Sequence, residues 1–152
     1  MPPNTGLDVR PLTSGDRAAW ELLWQAYLDF YDHALPSGVT DFTWARFGDP
    51  AEPMVALGAW ADGVLVGICH HVLHRSTWAE GSYCYLEDLF TAPAARGTGV
   101  GRALIEATAA VAREAGAEKL YWQTHARNDT ARALYDRVAR HEGFLVYEYP
   151  LS

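Results

Sequence analysis

The chain has 152 residues, 49% of them hydrophobic and 20% charged, which suits one domain over residues 1–152 with a substantial core. Its formal charge of −7, with no cluster of Lys or Arg, argues against nucleic acid as a partner and mildly favours small cations such as amines. No apolar run reaches a membrane span, and MPPNTGLDVR lacks the apolar centre of a signal peptide, so a cytoplasmic protein with no membrane partner is expected.

Only Met1 to Gly6 reads as disordered. LDVRPL (Leu7 to Leu12) predicts a first strand, closed by a capping box between Thr13 and Asp16. Trp20, Leu23, Trp24, Tyr27 and Tyr31 then recur at helical spacing, an aromatic stripe that reads as a core face. A turn-rich stretch follows, with a short helix around Asp41 to Phe47, and it reads as a substrate-covering segment. MVALGAW and VLVGICHHVLHR, joined by ADG, predict a hairpin, and SYCYLEDLFT (Ser82 to Thr91) adds a third strand to an antiparallel meander.

The pattern then alternates. A helix is expected over Arg102 to Ala115, a strand over Glu118 to Ala126, a helix over Asn128 to His141 and a last strand over Phe144 to Tyr149. The sum is an α/β (α+β) domain, order β-α-α-β-β-β-α-β-α-β, with a mixed, mostly antiparallel central sheet flanked by helices. Cys69 and Cys84 sit in strand-like runs without CxxC spacing and read as reduced core thiols.

Two groups of residues invite a chemical reading. The loop ARGTGVGR has glycines at 97, 99 and 101 immediately before a helix, so bare N–H groups at a positive helix end await an anion. The loop lacks the Gly-Lys-Ser/Thr ending of a P-loop and the spacing of a dinucleotide fingerprint. His70, His71 and His74 look like metal ligands, but neighbours on a strand point oppositely, and His70 and His74 stand about 13 Å apart at roughly 3.3 Å per residue. No metal site is expected, and His71 or His74 instead lines a pocket or packs between sheet and helix.

With this loop between a strand and a helix, the chain resembles the GNAT superfamily of acetyl-CoA-dependent N-acetyltransferases. Arg96, Gly99 and Gly101 match its acyl-CoA loop, and Asn128 followed by Tyr135 matches a second motif. YLEDLF is similar to the polyamine acetyltransferases, and the segment from Tyr121 to Phe144 to bacterial proteins of histone-acetyltransferase type. The family's Tyr-to-Gly-Phe spacing is exceeded between Tyr135 and Gly143, which implies about one extra helical turn.

The resemblance implies that acetyl-CoA is bound by the backbone of Leu89, Phe90 and Thr91, by the loop Arg96, Gly97, Thr98, Gly99, Val100 and Gly101, and by Arg102 and Asn128. It implies that Tyr135 is the general acid for the departing thiolate. It also makes Glu87 the water-mediated base toward a primary amine. Alternation sends Glu87 and Asp88 to opposite faces, which leaves Asp88 as the alternative base. The acceptor pocket is expected from residues 29–53 and the loop 76–81, with Asp29, Asp32, Asp41 and Glu80 as candidate cation binders and His125, beside Gln123, as a further lining residue. A small polyamine or amino acid is the favoured acceptor. The alternatives are a protein lysine or N-terminus, or a non-catalytic acyl-CoA sensor. Only eight residues follow Phe144, too few for two closing strands, so a homodimer is expected to cover the sheet edge.

Overall fold

The structure, a computed structural model, describes residues 6–152; the disorder expected for the first residues falls largely outside that range. The chain divides into two compact units, one ending at Trp122 and the other running from Gln123 to Ser152. The first holds a sheet of five strands, β1 (Leu7–Pro11), β2 (Met54–Ala61), β3 (Val64–Arg75), β4 (Ser82–Thr91) and β5 (Lys119–Tyr121), in that spatial order. The first three pairings are antiparallel and β4 pairs with β5 in parallel, so the sheet is mixed as expected. Three helices belong to this unit: α1 (Arg17–Phe30), α2 (Val39–Phe47) and α3 (Val100–Glu114).

The period-two pattern of β3 gives the sheet two buried faces. Ile68 and His70 point to the side where α1 packs its stripe, and Trp20 and Trp24 are buried against them. The stripe is a core face from Trp20 through Tyr27 and ends at Tyr31, which is 51% exposed. Gly67 and Cys69 point to the other side. A Cβ at Gly67 would meet Val100 Cγ1 at 2.5 Å, so the missing side chain sets how closely the start of α3 approaches the sheet. The Cys69 thiol lies 3.4 Å from the Thr108 hydroxyl of α3. Both cysteines are free and buried, and burial pushes the Cys69 thiol up to about 12.

The capping box forms at a short 3-10 turn before α1: the Asp16 carboxylate accepts from the Thr13 N–H at 2.7 Å. The helix after the glycine loop begins at Val100, two residues earlier than expected, because Gly99 takes the left-handed conformation (φ 89°) and acts as its N-cap. The strand expected over 118–126 is shortened to Lys119–Tyr121. Its last pair, Tyr85↔Tyr121, falls just before β4 leaves its regular register, and parallel pairing stops there.

His71 is fully buried, and neither ring nitrogen has a hydrogen-bond partner. Burial, helped by His70, holds its pKa down at about 4 against an ordinary 6.5. The unfolded chain therefore takes up the proton first as pH falls, so the stability His71 contributes is present above 6.5 and is lost as pH drops toward 4. From pH 7 to pH 5 that loss is expected to be about 2 kcal/mol. Urea midpoints at the two pH values measure it, and His71→Leu should flatten the dependence without lowering stability at pH 7.

The second unit contains α4 (Asp129–Val138). Asn128 caps it, its side-chain oxygen accepting from the Ala131 N–H at 3.3 Å. The helix was expected to reach His141, and the long spacing before Gly143 to add a turn; instead Ala139 is extended (φ −147°, ψ −172°). After Ala131, Leu134, Tyr135 and Val138 the next positions on that stripe are His141 and Glu142, which offer no apolar anchor for another turn. The last strand of the expected order, Phe144–Tyr149, does not form, and residues 139–152 have no regular structure. FLVYEY has strand-forming residues, but a strand exists only on a hydrogen-bonded neighbour, and no described strand pairs with it.

Candidate active site

The register of β3 on β4 jumps in the middle: His70 faces Asp88, while His71 faces Leu86. Glu87 is thus an extra residue, a bulge that reorients the side chains beside it. The expectation that Glu87 and Asp88 lie on opposite faces fails for this reason. Both carboxylates line one cleft of ≈ 410 Å³.

Its walls come from α1, α2 and the turn between them. Trp24 and Tyr27 stack at 5.5 Å, and Tyr27 meets Tyr31 edge-on at 5.0 Å. Phe47 and Arg46 of α2 also line it. The region 29–53 therefore builds the cleft as expected, whereas loop 76–81 contributes no lining residue. Asp29 and Asp41 border a separate open cleft, where Asp41 is paired with Arg17 at 2.6 Å.

Electrostatics separates the two acids' surroundings. Burial, and then the charge of Asp88, push the Glu87 carboxyl above its ordinary range. Burial and the same Asp88 charge push the Tyr27 phenol far up. A proton-holding phenol beside a charged carboxylate, with a second carboxyl of raised proton affinity next to it, can bind an ammonium and accept a proton from it.

Of the three histidines, His70 and not His71 or His74 lines the cleft, while His71 takes the other expected place, packed in the buried interior. His71 is the buried residue described above. His74 joins the Tyr121 hydroxyl at 2.7 Å. His70, Tyr27 and Tyr31 line the cleft without having been singled out for it by the sequence. The available signal was that the aromatic stripe ends in two hydroxyl-bearing rings, Tyr27 and Tyr31, rather than in pure hydrocarbon.

β4 leads from the acids to the glycine loop. The Ala92 N–H donates to the Val66 carbonyl of β3 at 2.8 Å. Antiparallel hydrogen-bonded pairs alternate, so Phe90 and Asp88 also bond toward β3, while the N–H groups of Leu89 and Thr91 point to the other edge. β5 covers that edge only as far as Tyr85. An open strand edge beside two carboxylates can take an amide-bearing chain as an added strand.

The loop itself is exposed, and Gly97 and Gly99 have positive φ (78° and 89°). The first N–H groups of α3, at Val100, Gly101 and Arg102, have no acceptor within the helix. Arg96 is held back: it donates to the Thr91 carbonyl at 3.3 Å and lies over Phe90 and Phe30. Arg102 pairs with Glu106 at 2.9 Å. An anion at this loop would thus meet backbone N–H groups, both arginines being engaged elsewhere. Gly99→Ala is expected to cost about 1 kcal/mol of left-handed strain. It should also weaken acetyl-CoA binding in calorimetry, and unchanged affinity would take this loop out of the site.

In the second unit Tyr135 is half-buried on α4, and Asn128 spends its oxygen on the helix cap. His125 is exposed in the preceding turn, its Nδ1 accepting from the Arg127 N–H at 3.1 Å.

A mixed sheet flanked by helices, with an aromatic-walled cleft at a bulge and a glycine-capped helix, makes this an α/β fold. Residues 17–139 match the family model for the GNAT acetyltransferases, and the chain belongs to that family. It is an N-acetyltransferase, an enzyme of the acetyl-CoA-dependent acyltransferase class. The chain is 33% identical over 147 residues to the D-amino-acid N-acetyltransferase HPA3 of Saccharomyces cerevisiae, covering 95% of this chain and 91% of that one. The aminoglycoside N-acetyltransferase AAC(6')-Iy, bound to a CoA bisubstrate analogue, shares the fold with TM-score 0.84 at 19% identity, over 97% of this chain and 99% of the other. The ribosomal-protein-alanine N-acetyltransferase of Brucella melitensis biovar Abortus 2308 does so with TM-score 0.79 at 23% identity, over 96% and 99%.

Proposed function

We propose that the protein transfers the acetyl group of acetyl-CoA to the primary amine of a small cationic acceptor, an amino acid or polyamine. The observation that carries this reading is the pair of carboxylates, Glu87 and Asp88, brought into one aromatic-walled cleft by the bulge of β4. Small amines fit the D-amino-acid and aminoglycoside acceptors of HPA3 and AAC(6')-Iy, and the net negative charge favours cations.

In this reading the ammonium enters beside Asp88 and loses a proton to Glu87 through water. The free amine then attacks the thioester carbon, whose carbonyl is polarised by a β4 N–H, that of Leu89. The C–S bond breaks, and the thiolate takes a proton from the Tyr135 hydroxyl. The pantetheine arm lies along Leu89 to Thr91, and the pyrophosphate rests on the N–H groups of Arg96 to Gly101 with Arg102 beside them. Asn128 adds a hydrogen bond to the cofactor. The whole chain then works as one catalytic domain, in keeping with a family match that runs through both units. Buried free thiols suit the reducing cytoplasm, and among the described residues no helix is long and apolar enough to cross a membrane.

Thiol release from acetyl-CoA, measured against amino acids of both hands, polyamines, aminoglycosides and a lysine-rich peptide, tests the reading. Turnover on a small amine is expected. Turnover on the peptide alone would make the acceptor a protein, and acetyl-CoA binding without any turnover would make the protein a sensor.

We also propose a homodimer built on the C-terminal tail. Phe144, Leu145, Val146, Tyr147, Tyr149 and Leu151 are all exposed, an apolar run too large to leave in water. Light scattering at micromolar concentration should give a dimer, and truncation after Gly143 a monomer; a full-length monomer overturns the proposal.

A further inference from the structure

We propose that Trp20 and His70 are positioning residues, a buried chain that aims the Asp88 carboxylate into the cleft while leaving its charge uncompensated. The inference rests on the amine-acetylating reading given above. Three elements meet here. The Trp20 indole N–H of α1 donates to Nε2 of His70 on β3 at 2.9 Å, and Nδ1 of His70 lies 2.9 Å from Oδ2 of Asp88 on β4. Trp20 is 0% and His70 1% exposed.

An indole nitrogen can only donate, so Nε2 of His70 must present its lone pair. The ring proton then sits on Nδ1 and is given to Asp88. The ring has no room to turn over, because Phe47 lies 4.6 Å and Trp24 5.2 Å from it, centroid to centroid. Trp20 thus selects one neutral tautomer, because a proton on Nε2 would point at the indole N–H and displace that bond.

The consequence concerns the acceptor. Asp88 meets a neutral donor in His70, and the protonated Tyr27 phenol stands nearby. Neutral donors orient a carboxylate without cancelling its charge, whereas an imidazolium would form an internal ion pair and compete with an incoming ammonium. The other ionisable groups around His70 are Glu87 on β4, Tyr31, His33 and the α2 residue Arg46, which line the same cleft, and His71, its neighbour on the opposite face of β3. The two acids divide the work: Asp88 holds the cation and Glu87, beside it, takes the proton.

Nitrogen-15 NMR of the full-length protein reads the tautomer without any turnover. His70 is expected as the Nδ1–H form at pH 7, and Trp20→Phe should release it; an Nε2–H form or an imidazolium in the wild type overturns the proposal. Kinetics reads the coupling. His70→Phe and Trp20→Phe are expected to raise KM for the amine about ten- to a hundredfold, as losses of supporting hydrogen bonds do, with acetyl-CoA binding unchanged. His70→Asn, which keeps a donor at the Nδ1 position, should recover most of the loss. In an Asp88→Asn background the same substitutions should have little further effect, and an undiminished effect there would show a merely structural role. Should Trp20→Phe fail to fold, the wild-type tautomer and the His70→Asn and His70→Phe pair decide. Absence of amine turnover by the wild type would remove the proposed function and leave the tautomer result standing.

Discussion

Glu87→Gln is expected to lower kcat/KM for the amine by about a hundred- to ten-thousandfold, the range for loss of a general base. It should also abolish the acid limb of the pH profile. Burial and the Asp88 charge raise the Glu87 carboxyl, so its basic form is lost as pH falls through a value above the ordinary carboxylate range. The wild-type limb should accordingly lie above the ~4.3 of a free glutamate. Asp88→Asn removes the like charge and should move that limb to lower pH while weakening amine binding. The two variants therefore separate two carboxylates that share one cleft: one changes the rate with its limb, the other changes KM and shifts the limb. If Glu87→Gln kept both the rate and the limb, the base would be elsewhere.

That separation was not legible in YLEDLF. Alternation along a strand is a local rule, and it puts neighbouring acids on opposite faces; the bulge that cancels it is a property of how β3 and β4 pair. The Trp20–His70 bond joins residues fifty positions apart and has no local sign either. What is local is legible: the β2–β3 hairpin and the Thr13–Asp16 capping box. The C-terminal segment shows the reverse case. Its strand propensity is local and plain, but a strand needs a neighbour, and α4 ends at Val138 because the apolar stripe that would anchor it further runs out.

Tyr135→Phe is expected to lower kcat about ten- to a thousandfold with acetyl-CoA affinity retained, as loss of a general acid should. Its ring sits on the stripe formed by Ala131, Leu134 and Val138, so two roles must be told apart, packing and proton donation. Phenylalanine preserves the packing, and the Tyr135 backbone carbonyl keeps its bond from the Ala139 N–H, 2.8 Å long, in either variant. A purely structural tyrosine would thus leave kcat intact. The leaving group offers a sharper discrimination. A thiolate expelled from an aryl thioester is a far weaker base than the coenzyme A thiolate and hardly needs a proton to depart. The Tyr135→Phe defect should shrink markedly with such a donor if the hydroxyl protonates sulfur in the transition state. A defect of equal size with both donors would mean that the hydroxyl positions a substrate, and the acid would have to be sought in another group or in water.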